Sequence, residues 1–202
     1  MYPINNNWSQ QQQQQQQQHF DLNEFSNIML SLPDRLDWET YHLAAAALMG
    51  SRSNCGRLHV GCVIVDNSNC FVSAGYNGFL PGAPHVSVMN DGHEQATVHA
   101  EQNAVANAAK RGVSVDGATA YITHKPCVNC GKVLAAAGIK EIVYIHEYGN
   151  DMIMIPLLQQ AGVTVRQYSR PALTAPTFTF TGSECTSNLT CPPGYSNTNT
   201  TF

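Results

Sequence analysis

Between Val98 and Lys132 the chain carries two clusters, His99-Ala100-Glu101 and then Pro126-Cys127-Val128-Asn129-Cys130. No other stretch restricts the fold as severely. One imidazole and two thiols in C-x-x-C spacing are ligands of the kind zinc takes, and three protein ligands leave a fourth position for water. Glu101, two residues from His99, shares that pocket and is too constrained to be a comfortable fourth ligand, so it is placed to move protons. The spacing predicts a helix starting at each cluster, and both starts are expected on the same side of the sheet, so that one cation can bridge them. Free N–H groups and the positive end of the helix dipole lower a thiol's pKa there, and zinc lowers it further, so both cysteines are expected as thiolates.

Each part also has a plainer reading. Alone, a C-x-x-C beside a strand is as often a thioredoxin-like redox pair or half of a structural zinc site. A redox pair predicts that zinc is absent and that Cys127 and Cys130 oxidise together. A non-catalytic zinc module kept for assembly has no need of Glu101. A closed structural site would want a fourth ligand, and no nearby sulfur or imidazole is placed with the same regularity.

The chain has 202 residues and 22.0 kDa, room for one ordinary domain with tails. Ten Lys and Arg stand against 14 Asp and Glu, a net charge of -4, and no basic cluster occurs. A long phosphodiester backbone is therefore disfavoured, whereas a single phosphate needs only one or two cations. The 7 cysteines read as reduced thiols and metal ligands before a disulfide framework, and nothing requires Cys185 and Cys191 to bridge. The polar start shows no secretory signal and no stretch has the length of a membrane span, so the chain is expected to be cytoplasmic, with its N-x-S/T sequons without meaning.

Residues 1–33 form an Asn/Gln-rich stretch, including an unbroken run from Gln10 to Gln18, that buries too little apolar surface to order; it is expected to be disordered or only locally helical. Order begins near Leu36 with a helix to Gly50 in which Trp38, Tyr41, Leu43, Ala44, Ala47 and Leu48 recur at helical spacing. Val60 to Val65 and Cys70 to Val72 read as a hairpin, broken at Gly75-Tyr76-Asn77-Gly78, where Asn and Gly suit a turn with φ > 0. A long loop runs from Phe79 to Thr97, and long loops inside compact domains are usually functional. Beyond it a helix is expected over Val98–Ala109, a strand over Ala118–Thr123, a helix over Cys127–Ala137 and a strand over Glu141–Ile145. A helix starting at Asp151 or Pro156 and a strand over Val163–Tyr168 complete the domain. This order implies an α/β layered domain with a mixed sheet covered by helices. Residues 171–202 are rich in Thr, Ser, Asn and Pro and are expected to be disordered.

The H-x-E…P-C-x-x-C pattern is the zinc nucleobase deaminase signature. Together with Gly75-Tyr76-Asn77-Gly78, Val98 to Ala104, Pro126 to Lys132 and Ala137-Gly138-Ile139-Lys140, it makes the chain resemble the deoxycytidylate (dCMP) deaminase branch of the cytidine deaminase superfamily over roughly Leu36 to Tyr168. The resemblance implies a three-layer cytidine-deaminase-like fold, a mixed sheet of about five strands with helices on both faces, as a zinc-dependent deaminase domain over 34–170. It implies hydrolysis of dCMP to dUMP and ammonia for thymidylate synthesis, with one catalytic Zn2+ on His99, Cys127 and Cys130. Glu101 then takes a proton from water, delivers it to ring N3 and protonates the leaving amine. Asn77 is implied for the sugar, Arg52 for the phosphate, Tyr148 for packing on the base, and Ala100 for a further substrate contact. The long loop has His85 and His93 but no cysteine, although Cys55 is a candidate neighbour, so a second zinc is not expected. Mg2+ is implied only as the companion of a nucleotide effector, and the loop is shorter than in relatives with dCTP and dTTP control. A homo-oligomer, often a hexamer in this branch, is expected, with neither nucleic acid nor membrane as partner. The nearest rivals are deaminases of cytidine, dCTP or a tRNA base.

Overall fold

The computed structural model describes residues 21–32, 35–90, 93–149 and 152–169. The glutamine run, the sequons, Cys185, Cys191 and the whole of 171–202 lie outside the described residues, as does the His93 side chain. Within the N-terminal stretch a local helix does form, α1 (Leu22–Leu30), because Asp21 caps it by accepting from the backbone of Asn23 and Glu24. None of its residues is buried.

Helix α2 (Trp38–Gly50) is capped by Asp37, whose carboxylate accepts from Thr40 N at 2.8 Å. That hydrogen bond holds the Asp37 carboxyl below its ordinary range. Strands β1 (Gly61–Val65) and β2 (Phe71–Tyr76) follow. The strand runs through Gly75 and Tyr76, and the break comes only at Asn77, which is not among the residues with positive φ. The long loop is not featureless. β3 (Gly78–Phe79) pairs with β6 (Thr97–Val98) to close its base, and β4 (Met89–Asn90) pairs with β5 (His93–Glu94) inside it. Glu94 fastens the interior, accepting from Val88 N at 2.9 Å, Ala96 N at 2.8 Å and the Ser87 hydroxyl.

Then come α3 (Ala100–Arg111), β7 (Thr119–His124), α4 (Val128–Ala136), β8 (Glu141–His146), α5 (Met154–Gln160) and β9 (Thr164–Gln167). The main sheet has the order β2-β1-β7-β8-β9; β1 is antiparallel to both neighbours, and β7, β8 and β9 run parallel. This is the mixed five-stranded α/β sheet that the alternation of elements predicts. Strand period sorts the core into two clusters. Cys62, Ile64, Ala120, Ile122, Ile142 and Tyr144 pack with α3, α4 and α5, whereas Val63, Val65, Tyr121 and Val143 pack with Leu43 and Ala46 of α2.

The buried face of α2 differs from the expected one. Trp38, Tyr41 and Leu48 are 48, 43 and 56% exposed, while His42, Leu43, Ala46 and Gly50 are buried. The helix lies so close to β1 that a Cβ on Gly61 would sit 1.9 Å from the Ala46 carbonyl oxygen, which leaves no space for large side chains. Arg166 of β9 ties the layers, bonding Glu39 of α2 and, at 2.8 Å, Glu141 of β8. These side chains are 40, 27 and 32% exposed, so screening holds each bridge to about 1 kcal/mol or less. The cluster fixes register more than it adds stability.

His42 is fully buried against the rings of Trp38, Tyr41, Phe71 and Tyr121, with centroids 5.6, 5.3, 5.2 and 5.0 Å away. Burial draws its pKa below the usual imidazole value, and neither buried ring nitrogen has a hydrogen-bond partner among the described residues. The neutral ring is then the form the fold favours. Its contribution is complete above the unfolded pKa, about 6.5, and is lost as pH falls through the lower folded value. The thermal midpoint is expected to drop between pH 7 and pH 5, and His42→Phe to flatten that decline. Parallel pH profiles for the two proteins would rule out His42 as the cause.

Candidate active site

Two helix starts build the site. β6 runs into His99, which is the N-cap of α3 with φ -69 and ψ 154, and its backbone N–H donates to Gln102 Oε1 at 3.4 Å. At the end of β7, Lys125 N–H donates to His146 O at 2.8 Å, and buried Pro126 leads into Cys127, the N-cap of α4. Cys127 Sγ accepts from Cys130 N at 3.5 Å. Each cluster thus places a ligand at the non-helical residue opening a helix, where free N–H groups favour an anionic donor.

His99 Nδ1 lies 3.2 Å from Cys130 Sγ and 3.7 Å from Cys127 Sγ, and all three donor atoms are within 4.8 Å of one another. Ordinary Zn–N and Zn–S lengths at a tetrahedral angle require N···S separations of about 3.6 Å and S···S separations of about 3.8 Å. The donor set fits one Zn2+ in both chemistry and spacing. Hydrogen bonds from Cys130 and His99 lower the Cys127 thiol to about 4. Cys130 is pushed the other way, by its hydrogen bond to Cys127 and by burial. Without a metal the two sulfurs, hydrogen-bonded to one another, are shifted in opposite directions; the expectation of two thiolates is for the group with zinc bound. A bound zinc would deprotonate the second.

Glu101, 4% exposed, lies in the first turn of α3 beside this group and hydrogen-bonds with Cys130. Burial raises its carboxyl above the ordinary range. A buried carboxyl beside the donor group is placed to accept a proton and return it during a reaction. Glu101, His99, Cys127 and Ala100 line one cavity, together with Leu58, Val60, Asn77, Glu94 and Thr97. Cys55, Arg57, His124, Lys125 and Tyr148 complete its wall.

Of the substrate contacts expected from sequence, Asn77, Tyr148 and Ala100 reach this cavity, and Arg52 does not. Arg52 is exposed in the turn after α2 and is not among the lining residues. The lining cations are Arg57, whose guanidinium carbon is 5.3 Å from the Tyr148 ring centroid, and Lys125, whose ammonium is 3.2 Å from Glu147. Asn77 is already engaged: Oδ1 accepts from Val60 N and Nδ2 donates to Leu58 O, both at 2.8 Å, which fixes the segment that forms one wall. Its other amide N–H has no partner among the described residues. His124, edge-on to Tyr148 at 6.3 Å, and Lys125 were missed from sequence although they directly precede Pro126; position at the end of a strand leading into a ligand was the available signal. His85 hydrogen-bonds Asn54 at 2.9 Å and stacks on Phe79.

Comparison with known proteins settles the family. Residues 36–146 match the cytidine and deoxycytidylate deaminase zinc-binding region. The chain belongs to that family. This deaminase-family chain is 41% identical over 138 residues to ComE operon protein 2 of Bacillus subtilis, covering 66% of its own length and 72% of the relative. It is 35% identical over 175 residues to the deoxycytidylate deaminase of Schizosaccharomyces pombe, where the match takes 74% of this chain but only 54% of the yeast protein. The family member therefore spans about half the length of that relative. Among solved structures, the dCMP deaminase of cyanophage S-TIM5 in complex with dCMP and dUMP is similar with a TM-score of 0.60 and 34% identity, covering 67% of this chain and 99% of the phage enzyme.

Proposed function

We propose that the chain hydrolyses dCMP, with water, to dUMP and ammonia. The observation that carries this reading is a buried, proton-accepting carboxyl, Glu101, in one cavity with a His99-Cys127-Cys130 group spaced for zinc. Bound there, zinc would supply an open position at which water becomes nucleophilic near neutral pH. Glu101 moves both protons of water: it takes the first and delivers it to ring N3 as the C4–O bond forms, then takes the second from the new C4 hydroxyl and delivers it to the amine as the C4–N bond breaks. Tyr148 and the apolar Leu58 and Val60 wall confine the base, and Asn77 offers its remaining N–H to the sugar. The dCMP and dUMP held by the phage relative support a deoxyribonucleotide substrate.

Arg57 and Lys125 hold the 5′-phosphate in this reading, taking the role that the sequence resemblance gives to Arg52. Charge-assisted hydrogen bonds contribute about 1.5–3 kcal/mol each. Arg57→Met, which keeps the stem against Tyr148, is expected to raise KM for dCMP roughly 10- to 100-fold while leaving KM for deoxycytidine within twofold. An equal change for both substrates would place the phosphate elsewhere. The five described cysteines, all unpaired, support a reducing compartment such as the cytoplasm, and homo-oligomerisation is expected by analogy with the branch. Among the described residues no helix is long and apolar enough to cross a membrane.

The deciding experiment is a panel of dCMP, CMP, deoxycytidine, cytidine and dCTP on the zinc-loaded protein, followed by ultraviolet absorbance. Turnover of dCMP well above the nucleosides supports the reading. Turnover of nucleosides or dCTP alone would overturn the substrate assignment and keep the mechanism. No turnover with zinc bound would point to a nucleic-acid base or a non-catalytic module.

A further inference from the structure

Helix α3 is fastened along the edge strand β2 by a ladder of side chains. Asn103 Nδ2 donates to Tyr76 O at 3.0 Å, Asn107 Nδ2 to Ala74 O at 2.9 Å, and Arg111 Nη2 to Val72 O at 2.6 Å. The donors recur every fourth helical residue and the acceptors every second strand residue. Four helical residues rise about 6.0 Å and two strand residues about 6.6 to 6.8 Å, so successive rungs stay in step over this length. Because β2 is an edge strand, alternate carbonyls lack a strand partner, and α3 supplies one.

The close packing at Gly75 and this ladder do different things. A Cβ on Gly75 would stand 2.4 Å from Ala104 N and 2.5 Å from Ala100 O, so the glycine sets how near the first turn of α3 comes to the strand. Backbone contact of that kind leaves the helix free to slide along β2. The rungs fix the slide, together with the buried Ser73 hydroxyl, which donates to Ala104 O at 2.7 Å. The first of them lies beside the chemistry: Asn103 N–H donates to His99 O at 2.9 Å, and its side chain holds Tyr76, next to Asn77. Asn77 in turn holds Leu58 and Val60 of the cavity wall. One short chain of bonds thus joins the turn bearing His99 and Glu101 to the surface against which a substrate would lie.

We infer that Asn103 is a positioning residue for the reaction, setting the register of Glu101 and His99 against the wall formed by Asn77, Leu58 and Val60. Asn103 itself is not among the cavity-lining residues, so its effect passes through those groups. Asn107, one rung further from the site, serves the helix and strand alone. This inference rests on the proposed deamination for its kinetic arm, and zinc affinity gives it an arm that does not.

The test compares Asn103→Leu with Asn107→Leu, each removing one rung, for kcat and KM on dCMP and for zinc affinity by chelator competition. Asn103→Leu is expected to lower kcat at least tenfold with KM within threefold, and to weaken zinc about tenfold, the lower end for loss of a group that orients a ligand. Asn107→Leu is expected to lose similar thermal stability with both readouts within threefold of the parent. Movement of either readout by Asn103→Leu alone supports the inference. Neither moving, or Asn107→Leu moving them equally, would overturn it. Should Asn103→Leu fail to fold, Asn103→Asp keeps the shape and removes the donor. A parent protein inactive on dCMP would refute the substrate assignment while the zinc arm still decides the role of Asn103.

Discussion

Glu101→Gln is expected to abolish turnover of dCMP, lowering kcat by about 10³-fold or more, while one zinc per chain is retained. The substitution keeps the size and hydrogen-bonding shape of a side chain that is 4% exposed, so packing around α3 should survive. What it removes is the ability to take up and give back a proton. General acid–base catalysis by one placed group is worth about 10²- to 10⁴-fold, and here the same carboxyl serves water, ring and leaving amine, which puts the loss at the upper end. Ammonia release and bound zinc, measured on the same preparation, check it. A variant within tenfold of the parent would remove Glu101 from the proton path, and one that had lost its zinc would show that the carboxyl supports the ligands instead.

Gly61→Ala is expected to have the largest effect on stability, because the added Cβ meets backbone on two sides. It would fall 1.9 Å from Ala46 O and 2.5 Å from Gly50 N, and neither atom can swing aside as a side-chain tip could. Relief requires lifting α2 from β1, which opens the cluster of Leu43, Ala46, Val63, Val65, Tyr121 and Val143. Overpacking commonly costs about 1–3 kcal/mol, and a backbone-limited clash with loss of core contacts should exceed the top of that range. Urea unfolding would show it as a midpoint shifted well below the parent at similar slope. A loss under about 1 kcal/mol would mean that α2 shifts along the sheet at little cost. The zinc group lies on the opposite face of the sheet, so protein that does fold should still bind metal.

Some of this architecture is legible in the residues. Short β-branched runs and helical spacing between Gly stops mark β1, β7, β8, α3 and α4 to within a few residues, because period and end signals act locally. The metal group is legible for the same reason: His99 and Cys127 each open a helix, and the pattern between them has few other uses. The face buried by α2 is not. Alanine-rich sequence with scattered aromatics suits several faces, and the choice of His42, Leu43, Ala46 and Gly50 depends on how near β1 can approach, which Gly61 determines from a different element.

The sequence by itself determined the main helices and the five strands of the large sheet in their order, and it singled out the three candidate donors with their neighbouring carboxyl, since each signal depends on neighbours a few residues away. Only the tertiary structure decided which cations line the cavity. Arg52 and Arg57 are both single arginines after the same helix, and nothing local separates them; Arg57 is carried to Tyr148 because Asn77 binds the backbone on either side of residue 59. Lys125 enters the wall by lying between β7 and α4. The ladder from Asn103 to Arg111 likewise exists only where a helix of one pitch lies along a strand of nearly matching pitch, a relation between two elements that neither segment encodes alone.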